Sequence, residues 1–346
     1  MDTEILFAGE PCHDLLFKSI KQKLAFDPKA GFATWKGALK EKFYELTGLD
    51  MIEQNAAPSL DIEVEYEEKK EDHTKIRFTF ASERGTRVPC FLLIPNTGLE
   101  KYPVAITLQG HSSGFHNSVG EVKFEKDADY QPRGQFGIQA MKNGYIALCI
   151  EQRGMGERRP TIPSRKAPAC SYTAMTALQL GRTVLGERMF DISKAIDALA
   201  HFKQCDTDKI LITGNSGGGT ASFYAACYDS RIKLSVPSCA FCPYEESILN
   251  IYHCPCNYIP SAYKYFEMQD LAAMIAPRQL VLIAGQKDSI FPIEGVRRGY
   301  KTVTDIYAAA GAPDACKLVE TPEKHWWCVD LVWETINAEA KKLGWK

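Results

Sequence analysis

The chain has 346 residues, 45% of them hydrophobic and 24% charged, and its formal net charge is -2 at pH 7. This length and composition are those of a globular protein with a large hydrophobic core. The nearly balanced charge, without a block of Lys and Arg, argues against nucleic acid and anionic membranes as partners. No apolar run reaches the length of a transmembrane helix, so no membrane partner is expected.

The N-terminal stretch and the cysteines predict where the protein resides. Residues 1–10 are acidic and lack the basic segment and long apolar core of a signal peptide. Many of the twelve cysteines, such as Cys90, Cys149 and Cys227, stand in apolar strand-like or helix-like segments. Buried reduced thiols of this kind are typical of a reducing compartment. We therefore expect a cytoplasmic protein.

The first 55 residues have the apolar spacing of helices. Apolar residues recur every three or four positions at Trp35, Leu39, Phe43 and Leu46. This spacing makes one apolar helix face, and Gly48 is a typical helix stop. We predict an N-terminal helical extension over residues 1–55, packed on a main domain over residues 56–346.

The next segments have the two-residue period of strands. Two stretches alternate apolar with polar residues, one at Ile62, Val64 and Tyr66 and the other at Ile76, Phe78 and Phe80. The pattern predicts antiparallel strands with one packed face and one solvated face. Apolar segments follow at 88–94 and 104–108. The second is continuously apolar, as expected of a strand buried on both faces.

From residue 145 onward, strand-like and helix-like segments alternate. Strand-like segments lie at 145–150, 210–213, 232–236, 280–284 and 317–319, and helix-like segments at 185–199 and about 330–342. This alternation behind antiparallel leading strands predicts an α/β fold with a mostly parallel, doubly wound sheet. Two segments interrupt it, near 159–181 and 241–265. Ligands of such sheets bind beyond the carboxyl ends of the strands, so we expect these insertions to form a lid or pocket wall.

Two cysteine groups have spacings compatible with metal binding. Cys239-x-x-Cys242 and His253-Cys254-Pro-Cys256 together offer enough ligands for a structural zinc. They are not a matched pair of C-x-x-C knuckles, which favours reduced thiols in loops. We therefore predict no metal ligands. The sequence leaves open whether these four cysteines are free, disulfide-bonded or metal-bound.

The segment 210–220 has the pattern of a nucleophile elbow. The apolar run 210–213 leads into Gly214-Asn-Ser-Gly-Gly218, and a segment of helical composition follows through Cys227. A strand, a tight turn with a central serine and a helix is the context in which a serine hydroxyl is exposed for attack. The alternative is a glycine-rich turn with a bystander serine. We predict that Ser216 is a catalytic nucleophile.

A serine nucleophile needs a base. In sheet enzymes of this kind the chain order is serine, acid and histidine, which leaves His253 and His325. His325 follows the last predicted strand and would face Ser216 from the same sheet edge, whereas no buried strand precedes His253. We prefer His325 as the general base.

The acid that orients this base is expected after the strand between serine and histidine. Asp288 follows the apolar run 280–284 and fits that place. Asp314 and Glu323 are weaker candidates, because neither follows a buried strand at this spacing. An oxyanion hole needs two backbone N–H donors, one after the nucleophile and one after an earlier strand. We assign them to Gly217 and to the main chain of His111.

Five motifs occur in an order known from one enzyme superfamily. They are Gln109-Gly-His111, Glu151-Gln-Arg-Gly-Met-Gly156, Gly214-Asn-Ser-Gly-Gly218, Gly285-Gln-Lys-Asp288 and His325. Over about residues 60–340 the chain resembles the α/β-hydrolases, and most closely the acetyl xylan esterase, cephalosporin C deacetylase and dienelactone-hydrolase-like esterases. Arg153 corresponds to a structural anchor of active-site loops. The serine argues against the cysteine chemistry of dienelactone hydrolases proper.

The resemblance implies a serine esterase that removes short acyl groups, such as acetyl, from a sugar or another small alcohol. The resemblance requires no metal or organic cofactor. It allows the chain to form a homo-oligomer. Acetyl xylan esterases of this group often have Gln after the serine. Gly217 in that position would leave a gap beside Ser216, on which substrate choice is expected to depend.

Two other functions are compatible with the sequence. A serine peptidase of the prolyl-oligopeptidase type shares the fold and the order of the triad. The chain lacks the propeller and the amino-terminus binder that such peptidases usually carry, and amide against ester substrates would separate the two. A non-catalytic binding protein on the same fold is the other alternative, and it predicts no acyl-enzyme.

Overall fold

The computed structural model describes residues 10–161 and 168–345. Its helices are α1 Glu10–Ser19, α2 Phe32–Thr47, α3 Leu49–Gln54, α4 Phe136–Lys142, α5 Ala169–Gln179, α6 Val184–Leu199, α7 Gly217–Tyr228, α8 Ala272–Ile275, α9 Ile293–Ala309 and α10 Val329–Lys342. Its strands are β1 Glu63–Lys69, β2 His73–Ala81, β3 Arg87–Pro95, β4 Tyr102–Leu108, β5 Ile146–Ile150, β6 Cys205–Asn215, β7 Ile232–Ser238, β8 Gln279–Gly285 and β9 Cys316–Thr321.

The strands of the described chain form one sheet in the order β1-β2-β3-β5-β4-β6-β7-β8-β9. The first three are antiparallel, and those from β5 through β9 run parallel. The predicted mostly parallel sheet behind antiparallel leading strands is therefore confirmed. β4 lies between β5 and β6, so the chain leaves β4 in one direction and later returns to its other side. Such a switch of strand order opens a crevice at the carboxyl ends of the strands.

The two faces of the sheet carry separate hydrophobic cores. Alternate residues of β4 divide between them, because Val104 and Ile106 pack in one core and Ala105 packs in the other. The larger core receives α2, α3 and α6–α9, and the smaller core receives α4 and α10. The helix after β4 and the helix after β6 thus cover opposite faces. The loops that leave these neighbouring strands diverge, which is the geometry of a ligand site.

The helices before residue 55 pack on the larger core. Trp35, Leu39 and Phe43 are buried on α2, and Gly48 ends that helix with a φ of 71°. The Phe43 ring stacks on that of Tyr224 in α7, with centroids 6.0 Å apart. The core is continuous across residue 55, so the division into an extension over 1–55 and a domain over 56–346 stays a prediction. Residues 1–9 lie outside the described chain.

The leading strands differ from the prediction in their burial. Both were expected to be half-buried, but β1 is exposed along its length, with 46% of Val64 and 43% of Tyr66 accessible. β2 is buried on both faces instead. β1 is the edge strand and has one neighbour, whereas the outer face of β2 is covered by its own long cations. Lys75 and Arg77 lie over the Phe91 ring and pair with carboxylates.

Four helices, α4, α5, α8 and α9, lie where the sequence suggested none. α5 occupies part of the predicted insertion at 159–181, of which residues 162–167 lie outside the described chain. α9 contains Gly295 and Gly299, which obscure its helical pattern. A Cβ at Gly295 would lie 2.7 Å from Sγ of Cys242, so close packing explains the glycine. Within the described ranges, no helix has the length and apolarity needed to cross a bilayer.

A buried ionic network fixes the loop after β5 to α6. Its members are Arg153, Arg158, Arg182, Glu83, Glu187 and Asp191. Three guanidinium groups thus face three carboxylates. Arg153 donates to Asp191 through Nε (2.8 Å) and to Glu83 through Nη2 (2.5 Å). The guanidinium groups hold the pKa of Asp191 well below its usual range despite its burial.

We expect Arg153→Met to lower the free energy of unfolding by about 3 to 5 kcal/mol, because it leaves buried carboxylates without their cation. Urea denaturation followed by circular dichroism measures the loss. Arg297→Met is the control, since Arg297 forms exposed pairs with Glu294 and Glu320 and its removal should leave the urea midpoint unchanged. Equal effects of the two substitutions would contradict a structural role for the network.

Candidate active site

Ser216 lies at the turn between β6 and α7. Its φ of 56° and ψ of -123° are unusual for a residue other than glycine. The turn is crowded, since a Cβ at Gly214 would lie 2.3 Å from the carbonyl oxygen of Leu108, and one at Gly218 would lie 2.0 Å from it. These contacts exclude any side chain at either position. The N–H of Ser216 donates to the carbonyl of Ser238 (2.9 Å), which fixes the turn to β7.

Asp288 and His325 meet at the same edge of the sheet. Oδ2 of Asp288 lies 2.8 Å from Nδ1 of His325. Oδ1 of this carboxylate accepts the N–H groups of Ile290 (2.8 Å) and Phe291 (3.1 Å), which fix its orientation. Among the residues described, Nε2 of His325 is buried and has no hydrogen-bond partner. Ser216 and His325 line one cavity, so Nε2 is the nitrogen available to the serine hydroxyl.

The alternative bases and acids lie elsewhere. Nε2 of His253 is 3.2 Å from Oγ of Ser247, and burial lowers the pKa of this histidine. His253 is not among the described residues that line the cavity at Ser216. Asp314 and Glu323 are exposed, and neither carries a described hydrogen bond to a histidine. The geometry groups Asp288 and His325 with the serine.

The loop after β4 faces the first turn of α7 across the serine. A Cβ at Gly110 would lie 3.2 Å from Cβ of Ser216 and 3.7 Å from N of Gly217. A Cβ at Gly217 would lie 3.7 Å from N of His111. Gly217 begins α7, so its N–H has no acceptor within the helix. The main-chain nitrogens of Gly217 and His111 therefore lie close together beside the serine, as an oxyanion hole requires.

The space beside Gly217 is occupied, so the expectation of a gap there is wrong. A Cβ at Gly217 would lie 3.0 Å from Nδ1 and 3.2 Å from Cε1 of the His111 imidazole. A glutamine at this position would have to displace that ring. On its other side, Nε2 of His111 lies 3.3 Å from Sγ of Cys256. The imidazole thus links the loop after β4 to the segment that contains Cys254 and Cys256.

The cavity in front of Ser216 and His325 has a volume of about 460 Å³. Its wall comes from the segment between β4 and α4 and from the residues after the histidine. Side chains that line it include Lys126, Tyr130, Arg133, Trp326 and Trp327. Among the described residues, neither 159–181 nor 241–265 contributes to this wall, which corrects the prediction. The segment after β4 begins at the crevice and therefore forms this wall.

The cysteine-rich segments divide between two places. Cys239 lies beside Asp288 and His325, with the ligating atoms of the three within 4.8 Å of one another. Burial raises the pKa of Cys239 to about 12, so it remains a neutral thiol beside the carboxylate. Cys242 is buried against the carbonyl of Pro292. Cys239 and Cys242 therefore lie apart from the group that contains Cys254 and Cys256.

Cys254 and Cys256 lie beside the loop after β4. They meet His111 and Cys170, and the ligating atoms of these four residues lie within 4.8 Å of one another. His253 points away, toward Ser247. The four-ligand set considered from the sequence is therefore not formed. Sequence spacing could not identify Cys170, because it is distant along the chain and reaches the cluster through the placement of α5.

Glu151 is buried behind the loop after β4. Its Oε1 accepts from Nε2 of Gln109 (2.8 Å), and its Oε2 accepts the N–H groups of Phe115 (3.3 Å) and Glu157 (3.2 Å). Burial raises the pKa of Glu151 to about 7 in spite of these hydrogen bonds. The motif Gln109-Gly-His111 is thus joined to the motif that begins at Glu151 by a hydrogen bond whose acceptor is titratable.

A serine after β6, an acid after β8 and a histidine after β9 of a parallel sheet have the chain order of the α/β-hydrolases. The sheet described above has the architecture of that class, with the serine at the crevice where the strand order switches. The chain matches the Abhydrolase family over residues 10–325 and belongs to it. The predicted superfamily and fold class are therefore confirmed.

Similar proteins include hydrolases and esterases. YtaP of Bacillus subtilis (strain 168), provisionally named a hydrolase, is 29% identical over 226 residues, which cover 64% of this chain and 73% of YtaP. A Bacteroides fragilis NCTC 9343 structure, provisionally assigned as an acetyl xylan esterase, has a TM-score of 0.78 and 18% identity, with 96% of this chain and 95% of that chain covered. A glucuronoyl esterase from Solibacter usitatus has a TM-score of 0.64 and 17% identity, with 86% and 91% covered.

We expect the stability of Glu151→Gln relative to the wild type to rise with pH. The folded-state pKa of about 7 lies above the reference value of 4.5. The stabilisation from this group is therefore fully present below the reference pKa and is lost as pH rises through 7. Glutamine cannot ionise, so the difference in unfolding free energy should grow by about 2 to 3 kcal/mol between about pH 5 and pH 8.

Urea unfolding at several pH values measures this difference. The charged groups that face Glu151 are Glu157 and Arg158. Glu157→Gln is the control. Arg77 lowers the pKa of Glu157, so its titration lies below this range and should add no slope. A pH-independent effect of Glu151→Gln would contradict the raised pKa.

Proposed function

We propose that this chain hydrolyses carboxylic esters through an acyl-serine intermediate, with Ser216 as the nucleophile. The observation that carries the proposal is the pair of Asp288 and His325, 2.8 Å apart, beside a serine held at positive φ. Membership of the Abhydrolase family and the esterase neighbours support a carboxylic ester hydrolase. A binding protein would have no need of a strained serine facing a free imidazole nitrogen.

Asp288 determines which nitrogen of His325 acts as the base. The carboxylate accepts at Nδ1, so the neutral imidazole keeps its proton there and presents the lone pair of Nε2 to Ser216. Nε2 removes the hydroxyl proton as Oγ attacks the ester carbonyl. The resulting imidazolium is stabilised by the carboxylate, and its proton then passes to the leaving alcohol.

The oxyanion hole stabilises the charge that develops on the carbonyl oxygen. In the proposed mechanism, the N–H groups of Gly217 and His111 donate to this oxygen in both tetrahedral intermediates. Water then enters, gives its proton to Nε2 of His325 and attacks the acyl-serine. The acid leaves as Ser216 recovers its proton. Nε2 of His325 takes part in every proton transfer in this scheme.

The cavity favours a short acyl group on a sugar or another small alcohol. The His111 ring occupies the space beside Gly217, which restricts the room for an acyl chain on that side of the serine. On the other side, Trp326 is 46% exposed and lines the cavity. The Arg133 guanidinium lies 3.0 Å from the centroid of this ring and holds it in place. An aromatic face in a wet cavity is suited to stacking on a sugar ring.

We expect Ser216→Ala to lower kcat for p-nitrophenyl acetate by roughly three to six orders of magnitude and to remain folded. The same variant should form no covalent adduct with a fluorophosphonate, as measured by intact mass. Ser112→Ala, which removes another serine of the same cavity, should keep the adduct. Wild-type turnover or labelling by Ser216→Ala would refute the proposed nucleophile.

We expect Trp326→Ala to raise KM for an acetylated sugar by about 10-fold, because it removes the stacking face. Initial rates over a range of substrate concentrations give the change. p-Nitrophenyl acetate is the control substrate, since it has no sugar ring, and its kcat/KM should change much less. Equal losses on both substrates would mean that the substitution disturbs the adjacent His325 rather than sugar binding.

A further inference from the structure

Three thiols and one imidazole meet at one point beside the loop after β4. The ligating atoms of His111, Cys170, Cys254 and Cys256 all lie within 4.8 Å of one another. Nε2 of His111 and Sγ of Cys256 are 3.3 Å apart. Zinc bonds of about 2.3 Å to sulfur and about 2.0 Å to nitrogen place tetrahedral ligand atoms about 3.5 to 3.8 Å from each other. The cluster has the dimensions of four ligands around one ion.

We propose that these four residues form a structural zinc site of the Cys3His type. The ligands come from three segments at the carboxyl edge of the sheet. His111 is in the loop after β4, Cys170 is in the first turn of α5, and Cys254 and Cys256 flank Pro255 at a short 3-10 turn. Four protein ligands leave no open position, as in structural rather than catalytic zinc sites.

Arg188 provides a second observation that points to a charged centre. Its side chain is buried, with 2% exposed, and none of the described carboxylates forms an ion pair with it. Nη2 lies 3.2 Å from Sγ of Cys170 and donates to the carbonyl of Arg153 (2.8 Å), while Nε is buried without a partner among the described residues. Zn2+ with three thiolates carries one negative charge. The site would therefore supply the anion that this buried cation lacks.

A hydroxyl group completes the surroundings of the sulfur atoms. Oγ of Ser171 lies 3.5 Å from Sγ of Cys254. Hydrogen bonds from outer groups to ligand atoms orient them and are usual around zinc. Arg188 contacts the sulfur of Cys170 and Ser171 contacts the sulfur of Cys254, both from outside the cluster. Two of the three sulfurs therefore have a polar neighbour in addition to the other members of the cluster.

The geometry favours one metal ion over the other fates of these thiols. Each of the three cysteines in the cluster is unbridged, since all twelve cysteines of the described chain are free. A disulfide would join two sulfurs and leave the third thiol and the imidazole without a function. A two-iron cluster would spread its ligands over two metal atoms, and ligands across it could not all lie within 4.8 Å of one another. Thiolate and imidazole ligands in a tetrahedron are typical of zinc.

The proposed site would fix the loop after β4 from behind. Nε2 of His111 faces the sulfurs, and its ring borders the space that a Cβ at Gly217 would occupy. Binding zinc through this ring would hold the main-chain N–H of His111 at a constant position relative to Ser216. His111 is then a positioning residue, and this consequence, unlike the zinc site itself, rests on the proposed esterase mechanism.

The direct test is the metal content of the wild-type protein. We expect about one zinc ion per chain by plasma mass spectrometry after purification without chelators. Native mass spectrometry should show the ion bound to the folded chain, and cobalt exchanged into the site should give the strong visible bands of tetrahedral thiolate coordination. The proposal would be overturned if the purified protein contained no metal or contained iron instead of zinc. It would also be overturned if the mass of the denatured chain were lower by two hydrogens for each disulfide formed.

Matched variants locate the site. We expect Cys254→Ala and Cys170→Ala to lose at least about 10-fold in zinc content, because each removes one of four ligands. Cys242→Ala is the control, since Cys242 is buried in the same insertion but lies outside the cluster. It should keep the wild-type zinc content. Zinc retained by both cluster variants would overturn the assignment, and the measurements on the wild type stand even if a variant fails to fold.

The role of His111 is tested by conservative rescue. His111→Cys replaces one zinc ligand by another and should keep zinc, whereas His111→Ala should lose it. Both variants retain the backbone N–H. If zinc positions the oxyanion donor, kcat should fall in His111→Ala, with a smaller change in KM, and should recover in His111→Cys. Zinc content that follows these variants while kcat does not would overturn the positioning role, but not the zinc site.

Discussion

The contact between the carbonyl of Leu108 and the turn after β6 is the constraint on which the site depends. Gly214 and Gly218 both approach this oxygen more closely than any side chain would allow. The end of β4 and the serine turn therefore form one rigid unit. Because the loops beyond these strands diverge to opposite faces of the sheet, the unit is open in front and supported by both cores behind.

Much of this arrangement could be predicted from the sequence, because it depends on where strands end. An apolar run followed by small or polar residues identifies the carboxyl edge of a parallel sheet. Ser216, Asp288 and His325 each follow such a run, so their convergence follows from topology alone. The N-terminal helices were also predictable from a local pattern, since the spacing of Trp35, Leu39 and Phe43 indicates which helix face is buried.

The features that escaped prediction depend on contacts between distant segments. The alternation of apolar and polar residues in β1 is that of a half-buried strand. The sequence does not reveal that β1 lies at the edge of the sheet, where its apolar side chains stay exposed. The cavity wall between β4 and α4 lacks a regular apolar period. Cys170 belongs to the thiol cluster only because α5 packs beside the turn at Pro255–Asn257. The imidazole that fills the space at Gly217 likewise comes from another strand end.

Trp326 and His325 are consecutive, and this adjacency has an evolutionary consequence. The residue proposed to grip the sugar cannot move without moving the residue proposed to transfer protons. Changes of substrate along the loop after β9 would therefore be tied to changes in rate. The segment between β4 and α4 contributes another part of the wall through Lys126 and Tyr130. That part contains neither nucleophile nor base, so related enzymes have more freedom to diversify their substrates there.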